Sequence, residues 1–284
     1  MRKFLIVMLV VVLALSVGIS LIACSGDVDQ PGTKWTKEEV LSYEIYDGTT
    51  LVGALAVKTE RLDAGNQTLN LTGETHNVNA STKGTRVTMK GLFLDGSTFL
   101  ESEAILNGFT TLASAKKITK NGQDTFIKAR YDGKRYYYSV NDGEEEKIKI
   151  KTGFIDNELL YTVLRVYSIE NNYTGSYTVM DNVAGEKTGL SISTANADFR
   201  YVKGIKITSD GIEQESANNV KCVELNIQRA KAPVGTPIKV AYSVEGDGGL
   251  KVWGQGASGL YSTHIPVQIV ENNITYKLVS IDCK

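Results

Sequence analysis

Asn121-Gly122-Gln123-Asp124-Thr125-Phe126-Ile127-Lys128-Ala129-Arg130-Tyr131-Asp132-Gly133-Lys134-Arg135-Tyr136-Tyr137-Tyr138-Ser139-Val140-Asn141-Asp142-Gly143 holds three turn signals with two strand-like runs between them. Asn-Gly and Asp-Gly pairs readily take the positive φ angles of tight hairpins. The run Thr125–Ala129 alternates in the period of two that puts one strand face on a core and the other in water. The same alternation sends Tyr136 and Tyr138 to one face and Tyr137 to the other. Two readings follow for this aromatic cluster: a strand packed on both sides, or a face that lines a ligand groove with phenols at its wet edge.

The signature repeats outward in both directions. Asp47-Gly48, Asp95-Gly96, Asn107-Gly108, Asp210-Gly211, Asp247-Gly248 and Asn272-Asn273 punctuate the chain. Between them lie β-branched runs such as Thr85–Met89, Ile205–Thr208 and Lys239–Tyr242. The pattern predicts a dozen or more strands, and hairpin links with few crossovers predict antiparallel pairing. A single segment has helical period. In Asp156–Tyr167 the apolar residues fall at 159, 160, 163, 164 and 167, with Asp156 as N-cap and Glu158 at the positive end of the helix dipole. Lys37-Glu38-Glu39-Val40-Leu41 is expected to add a helical turn at the start. The expectation is an all-β domain over residues 37–284 with one short helix, its large antiparallel sheet curled as an open or partial β-barrel.

The front end differs in kind. Arg2 and Lys3 precede an apolar run from Phe4 to Ala23, the layout of an export signal. Leu21-Ile22-Ala23-Cys24 resembles the lipobox of bacterial lipoproteins. The resemblance implies a signal peptide over 1–23, cleavage before Cys24, and fatty chains on the Cys24 thiol that hold the protein to a membrane. About 20 apolar residues could also span a bilayer uncleaved, but all four lipobox positions are filled in order. The polar stretch 24–36, with Gly and Pro, reads as a tether. The expected location is the cell envelope, membrane-anchored on the extracytoplasmic face, periplasmic or at the cell surface.

With 31 Lys and Arg against 32 Asp and Glu, the net charge is −1 and the signs are interspersed. That gives no electrostatic case for nucleic acid. Beyond Cys24 two cysteines remain. In an oxidising compartment Cys222 and Cys283 could form one disulfide, or stay as two separate buried thiols.

Several stretches resemble the DUF 3108-like family of exported β-rich proteins of unknown function. They are Tyr43-Glu44-Ile45-Tyr46 with Val52-Gly53, the Asp156-led helix ending in Arg165, and Lys221-Cys222-Val223-Glu224-Leu225. Val240-Ala241-Tyr242, Leu250-Lys251-Val252-Trp253, Ile265-Pro266-Val267 and Tyr276-Lys277-Leu278 close the set. The resemblance implies a β-rich, open-barrel-like fold and carries no catalytic residue.

Catalytic signatures are few. Gly254-Gln255-Gly256-Ala257-Ser258-Gly259 spells G-x-G-x-x-G, but a dinucleotide site needs a helix after it. The sequence that follows, Leu260–Pro266, has no helical period. His76 and His264 are far apart in sequence and neither sits in metal-ligand spacing. Glu144-Glu145-Glu146 before Lys147, Lys149 and Lys151 reads as a solvated strand with cross-strand charge pairs. No cofactor, metal or catalytic residue is expected. The leading expectation is a non-catalytic binding protein for an apolar ligand or lipid. A structural or protein-interaction lipoprotein of the envelope comes second, and an enzyme with a scattered site third.

Overall fold

The computed structural model describes residues 38–79, 84–108, 110–150, 153–167, 169, 172–209, 211–213, 217–230, 237–253, 260–262 and 264–284. The signal peptide, Cys24, the tether and Gly254–Gly259 lie outside the described residues.

Among the described residues the chain forms twenty-one strands. The first half comprises β1 (Glu38–Asp47), β2 (Thr50–Leu62), β3 (Gly65–Thr68), β4 (Thr75–Val78), β5 (Gly84–Phe93), β6 (Thr98–Asn107), β7 (Thr110–Lys120), β8 (Gln123–Tyr131), β9 (Arg135–Val140) and β10 (Glu146–Lys149). After β11 (Phe154–Asp156) comes a helical segment. It is a 3-10 turn at Asn157–Leu159, an α-helical turn at Leu160–Val163 and a second 3-10 turn at Leu164–Val166. The remainder is β12 (Thr174–Asp181), β13 (Glu186–Tyr201), β14 (Lys206–Ser209), β15 (Ile212–Glu213), β16 (Val220–Arg229), β17 (Ile238–Ser243), β18 (Lys251–Trp253), β19 (Leu260–Ser262), β20 (Pro266–Glu271) and β21 (Ile274–Cys283).

Seventeen strands join one sheet. Its ladder runs β10-β9-β8-β7-β6-β5-β2-β1-β21-β20-β17-β16-β13-β12-β11, and β14 with β15 branches from β21. Turn chemistry sets the hairpins. Asn121 and Gly122 both have positive φ, at 53° and 73°, as a two-residue hairpin turn requires. At 141–143 the positive angles sit on Asn141 and Asp142, one residue earlier than the Asp-Gly pair suggests.

The fold is all-β with one short helix, in a large sheet that does not close. Two pairs depart from antiparallel: β11 with β12 and β14 with β21. The first has a physical reason, since parallel neighbours need a crossover and the helical segment supplies it. The helical turn expected around Lys37–Leu41 is not formed where it is described, for Glu38–Leu41 begins β1. There Glu39 and Leu41 are buried while Glu38 and Val40 are half-buried. Tertiary burial outweighs weak local propensity.

Registers identify the inner face. Leu41 lies opposite Val57, which lies opposite Met89, and Tyr43 opposite Leu55. On the other side Ile45 faces Tyr276, which faces Ile269, then Val240 and Leu225. The helical segment sits on this face, and its Leu159, Leu160, Val163 and Leu164 pack with Val87, Leu225 and Val240 in the main core.

The two margins of the sheet overlap. On β11 and β12, Ile155 and Val179 join the main core, while Phe154 and Met180, which alternate with them, pack on Ala129, Tyr136 and Tyr138. The β11–β12 margin is therefore tucked against the inner face of β8–β9, so the sheet is rolled rather than zipped. Outside, the β3–β4 hairpin clamps onto β5 and β6. Glu103 accepts from Asn70 Nδ2 and Leu71 N, both at 3.1 Å, and Arg86 donates to the Thr68 carbonyl at 2.9 Å.

A candidate ligand cavity between helix and sheet

The rolled sheet and the helical segment leave a cavity of about 230 Å³. Its apolar wall comes from consecutive inner-face registers: Leu41, Leu55, Val57 and Met89, with Ile269 across from them. Phe99 and Leu100 of β6 add to it. Gly91 makes room there, because a Cβ on it would lie 2.4 Å from Phe99 Cζ. The sheet register slips between Gly91 and Leu92, which leaves Phe99 opposite no residue and lets its ring lie over the glycine.

The polar wall comes mostly from the helical segment. Its apolar stripe is used up on the core, so Asn157, Glu158, Tyr161, Thr162 and Arg165 face the cavity. At the base Arg165 grips Glu39 with two bonds, Nη1 to Oε1 at 2.6 Å and Nη2 to Oε2 at 3.0 Å. Its Nε donates to the His264 carbonyl at 3.1 Å. Both charged side chains are essentially out of solvent, at 1% and 0% exposure. At the rim Arg229 donates to Asn157 Oδ1 at 2.7 Å and lies 3.5 Å from Asp181. The buried Lys116 ammonium pairs with Glu158. Glu271 and Tyr276 complete the lining.

Behind this wall the helix start is anchored. Asp156 caps it, accepting from Glu158 N at 3.2 Å. Its other oxygen accepts from Tyr136 at 2.8 Å and Ser114 at 3.1 Å, with Asn182 Nδ2 at 3.4 Å. Burial raises the Asp156 carboxyl above its ordinary range, Lys116 acting against it. Burial likewise pushes up the phenols of Tyr43, Tyr161 and Tyr276, so the cavity wall carries neutral hydroxyls.

The residues singled out in the sequence fall mostly elsewhere. Tyr136 and Tyr138 are core residues of the overlapped margin, and Tyr137 lies outside, with the Arg130 guanidinium 4.0 Å from its ring centre. The packed-strand reading holds for Tyr136 and Tyr138, while the face of Tyr137 is half-buried at the surface. Cys222 and Cys283 stand as buried thiols in one apolar cluster with no disulfide formed. His76 Nε2 lies 3.8 Å from Glu74 on the outer hairpin, and His264 Nδ1 lies 4.0 Å from Glu245. Among the described residues no group of His, Cys, Asp and Glu could hold a metal ion, and no helix is long and apolar enough to cross a membrane. Of the acidic run only Glu146 lies in a strand, and Glu145 in the preceding loop pairs with Arg130 of β8 at 2.9 Å. The Trp253 side chain lies outside the described residues.

The sequence reading missed the cavity residues. One signal was there: a helix that must be covered by sheet still carries Glu158, Tyr161, Thr162 and Arg165 on the face away from its apolar stripe. Those groups need a polar cavity or buried partners, and they have both.

No family model matches the chain, and no curated protein matches it. The resemblance to the DUF 3108-like family therefore rests on its short motifs alone. Among solved structures, the chain is similar to the crystal structure of a β-barrel-like protein of a domain of unknown function, DUF1849, from Brucella abortus. The two share 8% identity over 89% of this chain and 100% of that one, with a TM-score of 0.43.

Proposed function

We propose that this is a lipid-anchored extracytoplasmic protein that holds an apolar or amphipathic ligand without transforming it. The cavity carries the reading: Leu55, Val57 and Met89 are only half-buried although they lie on the inner face of the sheet. Apolar side chains left facing an interior space are the usual lining of a small-molecule site, with a few polar groups to fix orientation. The lipobox at Leu21–Cys24 supports the anchor and the compartment. Two or more fatty chains make a stable attachment.

Mass spectrometry of lipids extracted from the natively purified protein tests the binding. The expected result is an enriched amphiphile that is absent from a Met89→Trp variant, whose larger side chain fills the cavity. Equal recovery from both forms overturns the reading. Cys24→Ser is expected to lose lipid labelling and to stay unprocessed or be released. Normal processing and retention would remove the anchor.

One observation favours a protein-interaction role instead. Phe93 and Leu94, at 47% and 66% exposure, stand at the β5–β6 turn. Crosslinking in cells through position 94 would then capture a discrete partner, and recovery of the monomer alone rejects this alternative.

A further inference from the structure

The polar wall of the cavity is balanced in charge at every ionised group but one. Arg165 is matched by Glu39, Glu158 by Lys116 and Arg229 by Asp181. Glu271, the last residue of β20, lines the same cavity, and among the described residues no cation pairs with it. It is half-buried, so water compensates it only in part.

Two phenols share its surroundings. Tyr161 and Tyr276 line the cavity with it, and after burial the Glu271 carboxylate is the next influence raising both of them. Both rings stay neutral at physiological pH. A carboxylate and tyrosine rings lining one cavity are groups that hold ammonium ions, through Coulomb attraction and cation–π contact. An anionic head would instead meet Glu271 and find the Arg229 guanidinium already held by Asn157 and Asp181.

We infer that the cavity selects amphiphiles whose polar end is cationic, an ammonium or quaternary ammonium seated against Glu271 beside Tyr161 and Tyr276. This rests on the cavity being a binding site, as proposed above, and names the class of its occupant. The space of about 230 Å³ corresponds to about eight groups of water size, at ~30 Å³ each, so an octyl tail fills it while the head stays at the water-facing side of the half-buried Glu271.

The test is calorimetric titration of the purified protein with octyltrimethylammonium, octanoate and octanol at low ionic strength. The cation is expected to bind about tenfold or more tighter than octanol, and octanoate weaker than octanol. Glu271→Gln is expected to remove the preference for the cation, while Glu145→Gln, on the outer face, keeps it. Equal binding of the three probes, or preference for octanoate, overturns the inference and leaves the binding cavity standing. A preference that survives Glu271→Gln overturns the assignment to this carboxylate. Binding of none of the three removes the cavity reading itself, and the inference with it.

Discussion

Breaking the Glu39–Arg165 pair should cost far more than replacing it. The pair joins the first strand to the helical segment across the interior, through two charge-assisted bonds and a third from Arg165 to the His264 carbonyl. Arg165→Met leaves Glu39 as a carboxylate at 0% exposure with both bonds gone. Stranding one buried charge in this way costs ~3–5 kcal/mol. Glu39→Gln strands the guanidinium and should cost about the same. The double variant Glu39→Leu with Arg165→Met strands no charge and keeps the volume filled. Of the bonds described it also loses the donor to the His264 carbonyl, about 1–2 kcal/mol for a buried acceptor. The coupling between the two sites is therefore predicted at several kcal/mol, against a typical total stability of about 5–15. Urea unfolding followed by circular dichroism reads this directly. With an m-value of ~3 kcal/mol/M, each single variant should lose about 1 M or more in midpoint and the double variant clearly less. Single losses under about 1 kcal/mol, or a double variant equal to the sum of the singles, would refute the claim that this interior is dry enough to penalise a lone charge.

Two further outcomes follow from buried titratable groups. Burial raises the Asp156 carboxyl above 3.8, so between that value and its folded pKa the folded chain holds a proton that the unfolded chain has released. Stability contributed by this group therefore falls as pH rises through that window, and is lost above it. Asn also caps helices well, so Asp156→Asn should remove this slope; unfolding curves from pH 3.5 upward that keep the same slope in both proteins would contradict it. The Cys222 thiol is pushed up to about 12 by burial. At pH 8 only about one molecule in 10⁴ would carry the reactive thiolate, so alkylation by iodoacetamide should stay negligible until denaturant is added, and rapid native labelling at Cys222 would overturn its placement.

The sequence disclosed elements more readily than their closure. Asn121-Gly122 and the alternation around Phe126 identify a hairpin because turn chemistry and period are local. Asp156 was readable as a cap for the same reason, since its bond to Glu158 N spans two residues. Glu39 was misread as helical because its reason for being in a strand lies 126 residues away in Arg165. The overlap of Phe154 and Met180 on Tyr136 was invisible too, for Phe154-Ile155 and Val179-Met180 are adjacent apolar residues on opposite faces, and alternation cannot say which neighbour each face meets. Glu271 and Tyr276 gave no signal at all, as a carboxylate at a strand end and a tyrosine in a strand look alike whether they face solvent or a cavity.

The position of β1 constrains how the chain can assemble. It lies between β2 on one side and β21 on the other, with Glu38 bonded through its backbone to Lys284. A chain made or delivered N-terminus first has one neighbour of this strand at once and the other only when β21, more than 200 residues further along, arrives. Until then β1 is an open edge, and the two halves of the sheet have no ladder between them. Pairings of such long range are slow to form. The native roll is thus reserved for a chain that has delivered β21, and everything made before it waits as two sheets with one shared open edge.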